Sequence, residues 1–330
     1  VERFGAQKVM VIASEFEAAI AREVSAGIDV ALDYDDVAPH VPVEKAEKAR
    51  AAAAEHGIDL LVCVGGGSTT GLAKAIALTT GIPIVAVPTT YAGSEATNVW
   101  GLTEAARKTT GVDDKVLPAT VIYDAALTLS LPVDLSVASG LNGMAHCIDS
   151  MWGPRADPIN QALGAEGIRA LNQGLPLITQ DPAGLDGREQ ALYGAYLSAV
   201  AFASAGSGMH HKICHVLGGT WNMPHAQTHA TVLPYVLAFN APAAPAAAER
   251  IAAAFGTENP VDGLNRLRET LNAPKALKDY GFAEENIPEA VDLILPVIPA
   301  SNPRTATPEN LTALLAAATA GDDPKTLTDL

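Results

Sequence analysis

Hydrophobic and polar positions give the chain two textures. In the first third, short continuous apolar runs alternate with stretches of helical period. Residues 8–13 (Lys-Val-Met-Val-Ile-Ala), 59–64 (Asp-Leu-Leu-Val-Cys-Val), 82–87 (Ile-Pro-Ile-Val-Ala-Val) and 120–124 (Thr-Val-Ile-Tyr-Asp) read as strands. Residues 43–56, rich in Ala, Glu, Lys and Arg, and residues 71–80 read as helices. Apolar strands without polar alternation are buried on both faces, so the pattern predicts a parallel sheet covered by helices on both sides. From Asp134 onward the strand-like runs stop. Residues 138–151, 159–174, 187–203 and 247–255 carry Ala, Leu and Gly at helical period. The Ala- and Pro-biased residues 241–248 read as a loop entering a helix. A boundary is expected at Leu131-Pro132-Val133-Asp134, giving an α/β domain over residues 1–132 and an all-helical domain over residues 133–330.

Composition narrows the partners. At 330 residues and 48% hydrophobic, the chain can bury one large core or two moderate ones. A net charge of −16 argues against nucleic acid and anionic membranes as partners. No apolar run reaches the roughly 20 residues that a membrane span needs, and Val-Glu-Arg-Phe at the start shows no secretory leader. Cys63, Cys147 and Cys214 are isolated in apolar or helical segments, which reads as reduced thiols in a cytoplasmic protein. In so acidic a protein, an anionic substrate requires locally concentrated positive charge.

Two polar segments follow predicted strands. Gly65-Gly66-Gly67-Ser68 leads into a helix, where glycine lets backbone amides approach a ligand and a helix N-terminus favours an anion. That reads as a phosphate or pyrophosphate cradle, although the spacing is not Gly-x-Gly-x-x-Gly and a tight turn without ligand is the alternative. Pro88-Thr89-Thr90-Tyr91-Ala92-Gly93-Ser94-Glu95 follows the next strand. Strand C-termini of a parallel sheet share a ligand crevice, so these hydroxyls could bind phosphate oxygens or a nicotinamide carboxamide. Capping of the following segment is the plainer reading.

The histidines carry the sharpest signal. The chain has eight, and four fall into paired motifs. His211 and His215 are four apart, on one helical face; Asn142 and His146 repeat that spacing. His225 follows Gly218-Gly219 and Pro224, where the chain can turn back. These four histidines read as a polar site. His210 and His229 read as core residues, of the kind that bond a backbone carbonyl, and Met144, Met151, Met209 and Met223 as packing around the site.

Together these motifs resemble the iron-containing alcohol dehydrogenase superfamily and, within it, the maleylacetate reductases. The resemblance runs from Phe4 to about Pro308 and rests on Gly65 to Leu78, Val87 to Glu95, Arg107-Lys-Thr-Thr110, Ser139 to His146, His210 to Gly219, Pro224 to His229 and Asn302-Pro-Arg304. It implies a Rossmann-like nucleotide-binding domain followed by an all-α domain, the dehydroquinate synthase-like fold, around a cleft, in a homodimer. It implies reduction of maleylacetate to 3-oxoadipate with NADH or NADPH, at the end of aromatic ring degradation. Gly65, Gly66, Gly67 and Ser68 would hold the pyrophosphate, and Thr89, Thr90, Ser94 and Lys108 the rest of the cofactor. Metal-dependent relatives carry aspartate at the position of Asn142, with their other ligands at His146, His211 and His225. Asparagine there is typical of the maleylacetate reductases, and a neutral amide weakens divalent binding, so no metal is expected, although three histidines can hold zinc. Ser14 stands where many NAD-preferring relatives have an acid, so NADPH is expected to be admitted as well. Relatives have a strand before the one that starts this chain, so preceding residues are expected.

Maleylacetate is a dianion with a ketone conjugated to a C=C bond. Hydride delivery to the β-carbon leaves an enolate that is protonated at the α-carbon, which calls for a donor to the enolate oxygen, a proton source and carboxylate clamps. His146, His211 and His225 are assigned to enolate or carboxylate contacts, His215 to proton donation, and Lys212 and Arg304 to carboxylate binding; a surface role is the alternative for Arg304. The competing readings are a metal-dependent alcohol dehydrogenase, a non-catalytic nucleotide binder, and a dehydroquinate synthase-like lyase, which the Asn142 context fits less well.

Overall fold

The computed structural model describes residues 1–105 and 107–329. They fall into two compact units, Val1–Leu131 and Pro132–Leu330.

The first unit is built on a parallel sheet. In chain order it comprises β1 (Val9–Ile12), α1 (Ala18–Val24), β2 (Val30–Tyr34), α2 (Val43–Glu55), β3 (Leu60–Gly65), α3 (Gly67–Thr80), β4 (Ile84–Pro88), β5 (Val99–Glu104), β6 (Arg107–Val112) and β7 (Thr120–Val121). The sheet runs β2-β1-β3-β4-β7 with every neighbouring pair parallel. Alternate residues of each central strand enter different cores. Met10, Ile12, Leu61, Cys63 and Ala86 pack with Ala46, Ala49, Leu72 and Ile76 of α2 and α3. Val9, Val11, Leu60, Val62 and Val87 pack with Ala21 of α1 on the opposite face. Each such buried aliphatic side chain contributes about 1.5–3 kcal/mol, which is why the runs are apolar throughout.

Three elements depart from the pattern. The strand expected over residues 120–124 is β7, only Thr120–Val121, although Ile122 N still donates to Ala86 O at 2.8 Å. β2 is a half-buried edge strand, Val-Ala-Leu-Asp-Tyr, too polar for the apolar-run criterion. β5 and β6 form an antiparallel hairpin whose strands carry Thr103, Glu104, Arg107, Lys108 and Thr109 and never reach full burial.

The second unit is helical: α4 (Val133–Ser150), α5 (Pro158–Gln180), α6 (Leu185–Ala205), α7 (Met209–Trp221), α8 (His225–Asn240), α9 (Pro245–Phe255), α10 (Pro260–Thr270), α11 (Ile287–Ile294) and α12 (Pro308–Ala320). α5 starts at a capping box, with Asp157 accepting from the amides of Ile159 and Asn160 and Pro158 in the first turn. Glycine lets α4, α5 and α6 approach closely: a Cβ at Gly167 would lie 2.6 Å from Cys147 Sγ. α4 is consequently buried over residues 136–150, and its polar side chains lie inside the unit. No helix among the described residues is long and apolar enough to cross a membrane. All three cysteines are buried thiols.

Candidate active site

At the C-terminal edge of the sheet, β1, β3 and β4 are parallel neighbours, so the residues that follow them share one edge. α3 begins at Gly67, four residues before its expected start, with Gly66 as N-cap. Gly67 and Ser68 therefore belong to the first helical turn, where amides lack intrahelical acceptors. Gly65 and Gly66 are required for different reasons, and Gly67 is not. Gly65 has φ 151° and a Cβ there would meet Thr69 Oγ1 at 2.6 Å; a Cβ on Gly66 would meet Thr90 Cγ2 at 2.7 Å. A Cβ on Gly67 would meet nothing within 4 Å, so that position borders open space at the helix N-terminus.

The second loop is fastened to the first. Thr89 N donates to Gly65 O at 3.2 Å. Lys74 of α3, fully buried, donates to Ser94 O (2.7 Å), Thr97 O (2.8 Å), Thr97 Oγ1 (2.9 Å) and Val99 O (2.9 Å). Glu95 is buried nearby and accepts from Tyr123 OH at 2.9 Å. Burial lowers the Lys74 pKa to about 7 against the attraction of Glu95, and raises that of Glu95. Thr89 is thus buried, while Thr90 and Ser94 are half-buried along the loop. Lys74 went unread because a lysine in a helix is ordinarily a solvent residue; its place among Ala73, Ala75 and Ile76 was the available signal.

Ser14 follows β1, and its hydroxyl donates to the carboxylate of Glu17. Burial pushes the Glu17 pKa up. A carboxyl group therefore lies beside Ser14 at this strand end. Lys108 lies on β6 opposite Thr103, half-exposed, its stem against Gly101.

In the second unit, six histidines form a continuous cluster of rings. α4 carries Asn142 and His146, α7 carries His210, His211 and His215, α8 carries His225 and His229, and Phe202 of α6 completes the packing. His146 stacks on His211 with centroids 4.8 Å apart, and Phe202 lies 4.5 Å from His146 and 4.3 Å from His211. His211 is 6.1 Å from His215 and 4.9 Å from His229, and His225 is 4.4 Å from His229. His225 joins through His229; the chain turns at Asn222 after α7, and His225 is the first residue of α8. The cluster grades outward: His146, His210, His211 and His229 are buried, His215 is half-buried and His225 is exposed. Asn142 is buried, and its Oδ1 has no hydrogen-bond partner among the described residues.

Several expectations change. His210 and His229 are buried, but they bond each other (Nε2 to Nδ1, 2.9 Å), not backbone carbonyls, with Cys214 Sγ 3.7 Å from His210 Nε2. Burial lowers the His210 pKa to about 4 despite the attraction of Asp149. Burial and the neighbouring histidines hold His229 well below its usual range. Both rings are neutral near pH 7. Arg304 is not a carboxylate clamp. Its guanidinium donates to Leu327 O and Thr328 O, each at 3.0 Å, and lies 5.0 Å from the Phe239 ring centroid, tying down the C-terminal turn. Lys212, next to His211 on α7, is half-buried and retains its candidacy as a cation for a carboxylate. Asp149 was missed altogether. It is fully buried one turn beyond His146 and accepts from His211 Nδ1 at 2.6 Å. The i,i+3 spacing from His146 was the available signal.

The positions that the resemblance ties to a metal lack an anionic ligand at Asn142. Asn142, His146, His211 and His225 offer three imidazoles and a neutral amide, and the buried Asp149 beside them, its pKa raised by burial, is engaged with His211 and with backbone amides. Among the described residues, the ligand atoms crowded within 4.8 Å of one another are those of His210, Cys214 and His229, whose ring nitrogens already bond each other.

Comparison with known proteins agrees with this architecture. Residues 1–125 match the model of the iron-containing alcohol dehydrogenases, and residues 136–319 that of the C-terminal part of the Fe-containing alcohol dehydrogenase family. A maleylacetate reductase of Sphingobium indicum is 44% identical over 97% of this chain and 91% of its own length. The solved structure of a maleylacetate reductase from Rhizobium sp. strain MTP-10005 is 39% identical, with TM-score 0.90 over 98% of this chain and 92% of its own. An iron-containing alcohol dehydrogenase from Corynebacterium glutamicum is 69% identical, with TM-score 0.96 over 99% of this chain and 92% of its own.

Proposed function

This chain belongs to the iron-containing alcohol dehydrogenase family, and on that premise we propose that it is a maleylacetate reductase, an oxidoreductase that reduces the C=C bond of maleylacetate to give 3-oxoadipate in aromatic compound degradation. The observation that carries this reading is Asn142, buried beside the three histidines His146, His211 and His225 in place of an anionic ligand. The similarity to maleylacetate reductases over nearly the whole chain supports it.

NADH or NADPH, when bound, supplies the hydride. The amides at the start of α3 receive the pyrophosphate, with Gly67 leaving room for it. Thr90 and Ser94 line the loop fastened by Lys74 and offer hydroxyls to the rest of the cofactor, with Lys108 as the cation on the hairpin. Hydride addition at the β-carbon of the enone moves charge onto the ketone oxygen. His146 and His211, stacked and buried, donate hydrogen bonds to that developing enolate. His215, half-buried one helical turn from His211, delivers the proton to the α-carbon. His225, exposed at the start of α8, and Lys212 meet the carboxylates, supplying locally the positive charge that the acidic chain lacks in bulk. No step calls for a metal. We further propose NADH as the preferred cofactor, because the Glu17 carboxylate beside Ser14 repels a ribose 2′-phosphate, and a cytoplasmic homodimer as the working form.

The test is NADH oxidation followed by absorbance with freshly prepared maleylacetate, with 3-oxoadipate identified by mass. The reading fails if small alcohols and aldehydes turn over and maleylacetate does not. That second outcome belongs to a metal-dependent alcohol dehydrogenase, the reading favoured by the 69% identical relative's name; its turnover would disappear on chelation.

A further inference from the structure

The helix that opens at the glycine turn carries a buried amino group two turns further on. Lys74 of α3 is 1% exposed, and its Nζ donates to Ser94 O (2.7 Å), Thr97 O (2.8 Å) and Val99 O (2.9 Å). Three carbonyls, which only accept, match the three hydrogens of an ammonium. Nζ also reaches Thr97 Oγ1 at 2.9 Å, and that hydroxyl donates to Ser94 O at 3.1 Å. Carbonyl oxygens turned toward one point repel one another, and buried ones left unpaired are costly. Residues 94–99 can therefore take this path because an ammonium stands at its centre. Gly93, at φ 79°, turns the chain into it. At the other end of the loop Thr89 N donates to Gly65 O, and Thr90 Cγ2 lies where a Cβ on Gly66 would strike it. The loop is thus fastened twice, by backbone to the β3–α3 turn at residue 89 and by Lys74 to α3 at residues 94, 97 and 99.

We propose that Lys74 is the positioning residue of the cofactor loop. Its ammonium fixes where Thr90 and Ser94 present their hydroxyls relative to the amides at the start of α3, and so sets the affinity for NADH. One helix then governs both halves of the cradle, the first through its N-terminal amides and the second through a side chain. Lys74 acts through the loop and need not touch the cofactor. The inference rests on the reading of this loop as part of the cofactor site. A core lysine that only stabilised the fold would be a structural role, and the two roles separate experimentally.

The test is the Kd for NADH, measured by fluorescence titration without substrate. Lys74→Ala should raise it by about tenfold or more. Propylammonium, which replaces the missing stem and donor, should restore binding. Tetramethylammonium at the same concentration, a cation that cannot donate, should not. Thr97→Val keeps the side-chain shape and Lys74 but removes the hydroxyl that joins Lys74 to Ser94. It should raise the Kd by a few-fold, and it decides the matter if Lys74→Ala does not fold. An unchanged Kd in folded Lys74→Ala or in Thr97→Val overturns the proposal, as does equal rescue by the two cations. Thr90→Val combined with Ser94→Ala keeps the carbonyl that Lys74 holds and tests the underlying reading. An unchanged Kd there removes the loop from the cofactor site and defeats both. A raised Kd there beside an unchanged one in Thr97→Val overturns the Lys74 proposal alone. No arm uses maleylacetate, so the result stands whichever substrate the enzyme takes.

Discussion

The glycine turn that ends β3 and the histidine cluster of α4, α7 and α8 are built from different materials. The turn is backbone: three consecutive residues at the start of one helix, two of which have no room for a Cβ. The cluster is side chain: rings from three helices, packed on Phe202 from a fourth and held by burial and mutual contact. A backbone site is specified by what is absent at each position, and one open position, Gly67, can be filled without disturbing the rest. A side-chain site is specified by neighbours far apart in the chain, so each member depends on the others for its orientation.

That contrast can be broken most directly at its strongest member. His211→Ala removes a preorganised donor from a buried site and should lower kcat by about 10²–10³-fold, with the KM for NADH close to wild type. Steady-state kinetics check it, and near-wild-type turnover would place the chemistry elsewhere. His210 tests the cost of burying neutral rings. Its pKa is about 4 in the folded chain, below its ordinary 6.5. The unfolded chain binds that proton first as pH falls, so stability should drop between pH 6.5 and 4 and be unaffected by this group above pH 6.5. The loss approaches about 3 kcal/mol at the acid end. Urea unfolding across that range should show a flatter profile in His210→Gln; an identical slope would remove His210 from the acid response.

The backbone site predicts a different signature. Gly67→Val places a side chain in the open space at the start of α3, so the KM for cofactor should rise by about tenfold, with the melting temperature retained. Gly66→Val cannot make this test, because its Cβ would strike Thr90. An unaltered KM in Gly67→Val would take the turn out of the cofactor site. The smallest expected effect is at Glu17. Glu17→Gln should raise kcat/KM for NADPH relative to NADH by a few-fold, about the value of one solvent-screened charge interaction, and an unchanged ratio would mean Glu17 does not face the ribose.

The same contrast explains what could be read before the structure. The glycine turn, the Thr89–Thr90 loop and the apolar strands are contiguous, so each announces itself locally. Helical spacing likewise placed Asn142 with His146 and His211 with His215. Asp149 was hidden because its partner is 62 residues away. Arg304 was misassigned because a Pro-bounded arginine gives no hint that it binds the carbonyls of Leu327 and Thr328. His210 and His229 were assigned to the core correctly in burial and wrongly in partner, since only the packing of α7 on α8 brings them together. The hairpin β5–β6 was invisible because its strands are neither apolar runs nor clean alternations.

The central claim is that histidines stabilise the enolate without a metal. Its most direct test is to strip the purified protein exhaustively with chelator, measure bound Fe and Zn by elemental analysis, and assay the same sample with maleylacetate and NADH. The predicted result is undiminished turnover at far less than one equivalent of metal. Turnover abolished by stripping and restored by stoichiometric Fe or Zn would contradict it.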